Sequence, residues 1–501
     1  QFSELTDGAI LIDRKAAMTP WYFVTNVNGG STNFSLSKGF DLNRNLGALN
    51  IGLNHAISNP DPRDKIKQYN RTSASLMWSK VFSKKIKNTL SVDVNGRNDQ
   101  VKFDPDDDTE QMSYAKNFGF RVSNRFNWRL NTPIARTLNL TLSYSESKQD
   151  SYKQWLLNQS PKGYAFKDTT GIYEGVVLSG RYRAEEQIVG NPVTASANLG
   201  LSTNIHFGDM LHVISYGANV NYSNNGGRGI VADPDKPRWV NQSSQNARPY
   251  SFQYLDPLVN YGLYISDNFK LSVFDKNLLS NIGFRVDQQN GSWSLQPRIN
   301  TVLVWNNQWE WTAAFGISTK SPTMAHRYPA PTFLDIPLIL AYNADDALYL
   351  VHTEKIIAEN SHLKPSKSTQ LEVGARYRGS WINSSLNAFW KSNTNGFSTI
   401  YQYSRIVVPE YSYYYDETIK KIHYETTGGF KAYYNYGGNT MGNILNSYSY
   451  GIDWMFNTRQ INAISTSFNF STSFIWSKES PSAYDIVDLS SPLTVENEDN
   501  I

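Results

Sequence analysis

The sequence predicts an all-β fold, a transmembrane antiparallel up-and-down β-barrel of the outer-membrane type. Three observations predict it. Segments of strict apolar–polar alternation recur from one end of the chain to the other, short and long connections alternate between them, and helical periodicity is nowhere sustained.

In chain order, Leu49, Ile51 and Leu53 alternate with Asn50, Gly52 and Asn54, and Leu90, Val92 and Val94 alternate with Ser91, Asp93 and Asn95. Residues 117–130, NFGFRVSNRFNWRL, set Phe118, Phe120, Val122, Phe126, Trp128 and Leu130 against a register carrying Arg121, Arg125 and Arg129. The pattern returns at 138–147, at 193–205, at 309–317, at 371–377 and at 464–476. About 16 or 17 such segments are readable, mostly with the ~9–11 residues a tilted strand needs to cross a bilayer.

Successive strand side chains point to opposite faces, so each segment has one oily and one wet side. The wet register of Asn, Ser, Thr, Gly and Arg suits a hydrated lumen, and lipid accounts for the Phe, Leu and Trp opposite. The rival is a large soluble β protein, whose oily face would point inward. Tight links are expected at Asn43–Asn45, Ser83–Lys85, Asn131–Pro133, Phe207–Asp209, Asp275–Asn277, Asn306–Gln308, Arg378–Ser380 and Thr458–Gln460, with long links at 150–190, 223–258, 319–365 and 394–440. This alternation belongs to an up-and-down barrel rather than a Greek-key sandwich.

Composition agrees without deciding. The 501 residues have a mean hydropathy of −0.48 and no apolar run long enough for a membrane helix, but they include 31 Tyr, 24 Phe and 13 Trp. The absence of cysteine excludes disulfides and thiolate metal sites, and the formal charge of +3 points to no nucleic-acid partner.

No nucleophile elbow, phosphate loop or zincin motif is present, so no catalytic residue, cofactor or metal site is expected. Asp104, Asp106 and Asp108 alternate as calcium ligands do, but Thr109 stands where glycine is needed and Ala115 where the late glutamate belongs, which favours a solvated acidic loop. His206 and His212 flank a tight turn and read as rim residues. The arginines at 121, 125 and 129 read as structural, paired with lumen carboxylates or with a domain plugging the lumen, rather than as a substrate track. The candidate site is a tyrosine-rich loop at 409–438. Its Tyr411, Tyr413, Tyr414, Tyr415, Tyr424, Tyr433 and Tyr434, with Tyr436, offer flat amphipathic rings to a sugar, peptide or aromatic chelator; an aromatic girdle or loop self-packing explains the same residues.

Several stretches resemble the barrel of TonB-dependent outer-membrane receptors of the Bacteroidetes type: NYGLYISDNFKL (260–271), IGFRVD (282–287), QPRINTVLVWN, NSHLKPSKSTQLEVGARYR (360–378) and YSYGIDWMFN (448–457). The resemblance covers about two-thirds of the chain and is strongest from 258 to 478. It implies membership of a barrel of roughly 22 strands, placed in the bacterial outer membrane, importing a large nutrient such as a glycan, peptide or metal chelate. It also implies contact with outer-membrane lipid, with a TonB complex through a plug that this sequence does not contain, and with a surface lipoprotein. The expected organisation is an entry segment with a first strand in 1–30, barrel strands and long extracellular loops in 31–478, and the start of a loop in 479–501. A passive porin and a scaffold barrel in a surface-lipoprotein or secretion complex are the alternatives; an outer-membrane enzyme is disfavoured.

Overall fold

The structure, a computed structural model, describes residues 14–43, 45–58, 63, 66–237, 248–358 and 360–481. The strands in chain order are β1 (Thr19–Asn28), β2 (Ser31–Asp41), β3 (Ala48–Ser58), β4 (Lys67–Val81), β5 (Ile86–Val101), β6 (Met112–Arg129), β7 (Thr137–Asn158) and β8 (Lys162–Tyr164). They continue with β9 (Gly171–Leu178), β10 (Arg181–Gly190), β11 (Pro192–Phe207), β12 (Met210–Asn225), β13 (Gly229–Val231), β14 (Leu258–Val273), β15 (Lys276–Gln289) and β16 (Ser292–Val304). The last are β17 (Trp309–Lys320), β18 (Thr332–Tyr342), β19 (Ala347–Ile356), β20 (Ser366–Arg378), β21 (Ile382–Asp416), β22 (Lys421–Thr458) and β23 (Asn469–Pro481). One helical turn, α1 (Met324–Arg327), precedes β18.

One antiparallel ladder runs β1 to β7, then β11, β12, β14 to β17, and β20 to β23. Strand β7 is too long for a bilayer, and its pairing divides accordingly: Thr137–Glu146 pairs with β11, while Gln149–Asn158 rises past the membrane and pairs with β10. All the expected tight links lie at one end of the ladder. The other end carries the long connections, with three exceptions, one of them the four-residue turn Glu417–Lys420 between β21 and β22. Gly29–Gly30 joins β1 to β2, and Asn290–Gly291 joins β15 to β16, both as two-residue turns. Positive φ at both Asn290 (45°) and Gly291 (90°) makes the second a twist-matched hairpin turn.

Two further expectations need correcting. The stretch 394–440 is not an irregular loop but the upper part of the β21–β22 hairpin, paired out to Asp416 and Lys421. The last alternating segment begins at Asn469 rather than 464, because Ile461 and Thr466 first close a turn with Ser465 at positive φ. Of the loop expected at 479–501, Glu479–Pro481 still belong to β23, and the rest, like residues 1–13, lies outside the described residues.

The strands are polar inside and apolar outside. On β12, β14, β15 and β16 one register buries Asn219, Arg285, Asp287 and Gln296 against the lumen wall, and the other exposes Leu263, Ile265 and Phe284. Arg285 donates to Asn219 Oδ1 (2.5 Å) and Asp287 Oδ2 (2.9 Å), and Gln296 donates to Asp287. The Arg285 and Asp287 charges are thereby compensated within the wall.

Apolar burial is concentrated on the loop side. Strands β18, β19, β9 and β8 form a separate four-stranded sheet that packs on the projecting β21–β22 hairpin. Leu334 and Ile336 meet Ile406 and Val408; Ile339, Ala341, Leu348 and Leu350 form a second cluster; Ala165, Tyr349 and Val351 form a third. The fully buried Arg248 guanidinium donates to both Asp335 oxygens (2.9 and 2.8 Å) and to the Ala165 and Lys167 carbonyls, and Thr353 Oγ1 also donates to Asp335. Three connections far apart in sequence are tied at this point.

Two outcomes follow from these placements. Leu140→Arg puts a charge on the lipid face and costs ~2–4 kcal/mol near the bilayer midplane, measurable by denaturant titration in lipid vesicles. Asp335→Ala leaves the Arg248 charge buried without its carboxylate, at ~3–5 kcal/mol. Protease should then cleave within 159–180 or 319–365 while the membrane ladder stays intact; unchanged protection would mean the pair does not hold the sheet.

Candidate functional site

The tyrosine-rich segment is two strands in register, so the alternation rule sorts its side chains onto two faces. Tyr411 and Tyr424 face the four-stranded sheet, with ring centroids 5.8 Å apart, and pack on the cluster around Ile339 and Leu350. Tyr424 also donates its hydroxyl to Glu174 on β9 (2.7 Å). Tyr433 and Tyr436 pack on the Leu334 cluster at 5.7 Å from one another. These rings are part of a core.

The remaining tyrosines sit differently. Tyr414 stacks on His423 at 5.5 Å, and Tyr434 lies 5.8 Å from the Arg405 guanidinium. Tyr413, opposite Tyr424 in register, and Tyr414 are 56% and 55% exposed. Near them on the hairpin lie Tyr401 and Tyr403, whose rings meet edge to face at 4.7 Å, together with exposed Val407 and Phe430. These four additions were missed in the sequence, although the alternation of Tyr401 and Tyr403 was there to be read.

The tip of the hairpin is clamped to the turn between β18 and β19. Tyr415 donates to Asp345 (2.8 Å), and the Ile422 N–H donates to Asp346 (2.8 Å). The bond to Asp345 favours the neutral phenol and pushes Tyr415 up to about 12, so this contact persists through neutral pH and is lost only in strong alkali. Backbone N–H groups of Ile422 on Asp346, and of Thr418 and Ile419 on Asp416, hold both carboxyls below their usual range. Those contacts stand above the ordinary carboxylate pKa and fail as pH falls through the lowered one.

Below this layer a cavity of about 500 Å³ lies between the lumen wall, at Asn221, Asn225 and Gln289, and the segments bearing Phe252, Leu255 and Tyr328. A second, of about 690 Å³, is lined by Arg97, Lys116, Lys148 and Arg228 among others. Neither is visible in sequence, since each joins residues from distant connections.

The other sequence candidates take structural positions. Asp104 accepts the Asp106 N–H and Asp107 the Thr109 N–H, as turn caps, and among the described residues no His, Asp or Glu cluster could hold a metal. His212 contacts Asp267 (2.6 Å) between Phe207 and Phe269. Arg121 stands opposite Asp93 in register.

No curated protein matches the chain in sequence. Among solved structures it resembles the siderophore receptor PirA from Acinetobacter baumannii at 12% identity and TM-score 0.52, covering 91% of this chain and 61% of that one. It resembles the ferric enterobactin receptor PfeA of Pseudomonas aeruginosa at 12% identity and TM-score 0.55, covering 92% and 64%. It resembles the outer membrane transporter YddB from Escherichia coli at 14% identity and TM-score 0.52, covering 90% and 55%. The chain thus spans less than two-thirds of the length of each, and the likeness is one of fold. The family model for the TonB dependent receptor-like β-barrel matches residues 91–495. With the lipid-facing ladder and polar lumen wall, this match establishes that the chain belongs to the TonB dependent receptor-like β-barrel family, whose members are bacterial outer-membrane proteins.

Proposed function

We propose that this chain is the barrel of an importer for a large nutrient, with its long connections outside the cell and its tight turns in the periplasm. The observation that carries the reading is the layer built on the loop side. A four-stranded sheet and a clamped hairpin hold exposed Tyr413 and Tyr414 above a wall of amide and charged side chains. A passive pore needs no such apparatus. The named relatives' ligands, a siderophore and ferric enterobactin, favour a metal chelate; a glycan or peptide suits the same rings. Energised transport would run through a TonB complex, and a surface lipoprotein would meet the loop side.

Uptake of labelled glycan, peptide and ferric chelate by cells expressing the protein separates the readings. Import that stops when the proton-motive force is collapsed supports the energised importer, whereas import that continues supports the porin. A scaffold would show neither, and its loss would disturb complex assembly alone.

The exposed and the packed tyrosines of the hairpin should respond differently to substitution. Tyr413→Ala with Tyr414→Ala removes exposed stacking area worth ~0.5–1.5 kcal/mol per ring, so ligand binding should weaken about tenfold with surface abundance unchanged. The corresponding Phe pair keeps the rings and should lose less. Tyr424→Ala opens the packed layer, and its signature is protease sensitivity at 332–356. Unchanged binding in the first variant would remove the exposed tyrosines from the site.

A further inference from the structure

On the lipid-facing register of β1 to β5, the cross-strand pairs form rows. Nearest the tight turns is Phe40–Leu49–Trp78–Leu90; next comes Lys38–Ile51–Leu76–Val92; then Leu36–Leu53–Ala74–Val94. Ala74 is the small residue in a field of branched ones, and the surface sinks there. The resulting groove of about 390 Å³ has Trp21, Leu36, Ile51, Leu53, Leu76 and the two valines as walls, and its lining side chains carry no charge. At its turn-side end is a cation. Lys38 Nζ lies 5.9 Å from the Trp21 ring centre and 5.6 Å from that of Phe40. Further turnward on the same face, Lys80 Nζ lies 4.5 Å from the Phe82 ring. Both lysines are thus drawn toward the aromatic belt at the headgroup level, as long cationic side chains in lipid are.

We propose that this face is a binding site for one anionic phospholipid of the turn-side leaflet, with an acyl chain in the groove and its phosphate held by Lys38 and Lys80. The occupant of an apolar groove within a bilayer is a lipid chain. The chain gains little there relative to bulk lipid, because lipid tails are as apolar as the leucines that line it. Selection therefore falls on the headgroup. Two ammonium groups beside a single groove favour a phosphodiester without its own ammonium over a zwitterionic one. Lys38 and Lys80 are on strands two apart, about 10 Å across the sheet, and four residues apart in register, about 13 Å along it; the ~16 Å between them is closed by two extended lysine side chains reaching one phosphoglycerol headgroup. The site lies at the opposite end of the ladder from the tyrosine layer, so it stands whether or not that layer binds a nutrient.

The test uses the protein in nanodiscs of phosphatidylethanolamine and phosphatidylglycerol, the same mixture in both leaflets, with mass spectrometry of the lipids that stay bound on detergent extraction. The protein should retain phosphatidylglycerol preferentially. Lys38→Gln should reduce that preference about fivefold and Lys80→Gln by a similar factor, while Lys38→Arg keeps it. Ala74→Leu fills the floor of the groove and should shorten retention with both lysines intact; Ala74→Val does so more mildly should the leucine disturb folding. Circular dichroism checks that strand content is unchanged. Equal retention of the two lipids by the parent protein, or an unchanged preference in the Lys38→Gln, Lys80→Gln double variant, would overturn the proposal.

Discussion

Every backbone N–H and C=O of a strand inside a bilayer must find its partner on a neighbouring strand, because no water is there to accept or donate. The rest of the molecule is arranged around that requirement. Registers are continuous over whole strands, as in the unbroken pairing of β6 with β7 from Met112–Gln154 to Arg129–Thr137. The register shifts repeatedly in the projecting part of the β21–β22 hairpin, where water can satisfy what the ladder leaves open, and also at Pro337–Ile339 in the loop-side sheet and between Thr19 and Tyr22 on the edge strand β1. The same demand shows at the two edges. Among the described residues β1 pairs only with β2 and β23 only with β22, and within lipid both edges require a further strand.

A barrel that is wet inside and oily outside has no place for an ordinary apolar core. In this chain the core has moved above the membrane, between the four-stranded sheet and the hairpin that grows out of the ladder. The Arg248–Asp335 pair sits in that layer. Removing both charges in favour of well-packed apolar groups would cost little, since the desolvation of a buried pair offsets most of its attraction. What the pair adds is direction. One guanidinium with donors aimed at the carbonyls of 165 and 167 and at a carboxylate on β18 permits a single arrangement of three connections. Apolar packing alone would accept several.

The membrane ladder was legible in the sequence because its signal is local. Period-two alternation is written in consecutive residues such as Leu138, Leu140 and Leu142, and the tight links announce themselves in the same window. The loop-side sheet was not legible. Its strands pair Tyr349 with Gly175 and Leu350 with Glu174, across more than 170 intervening residues, and FLDIPLIL carries no alternation because both faces of β18 are covered. The short turn at Asn290–Gly291 was readable in principle, since Asn-Gly is the strongest hairpin dipeptide, but the expectation of a long connection on that side masked it.

The tyrosine segment shows why composition could not settle its own meaning. Eight tyrosines in a loop are either a binding surface or self-packing, and composition offers no way to choose. Once the segment is a strand pair, parity and packing together sort the rings. Tyr411, Tyr424 and Tyr433 pack inward, while Tyr414 and Tyr434 point away from the sheet. Under the proposed binding role the two readings are complementary: the inward rings fix the hairpin, and a fixed hairpin presents the outward rings with little conformational entropy left to lose. Binding groups on a paired and clamped ladder are ordered before a ligand arrives, an advantage a mobile loop with the same tyrosines would not have.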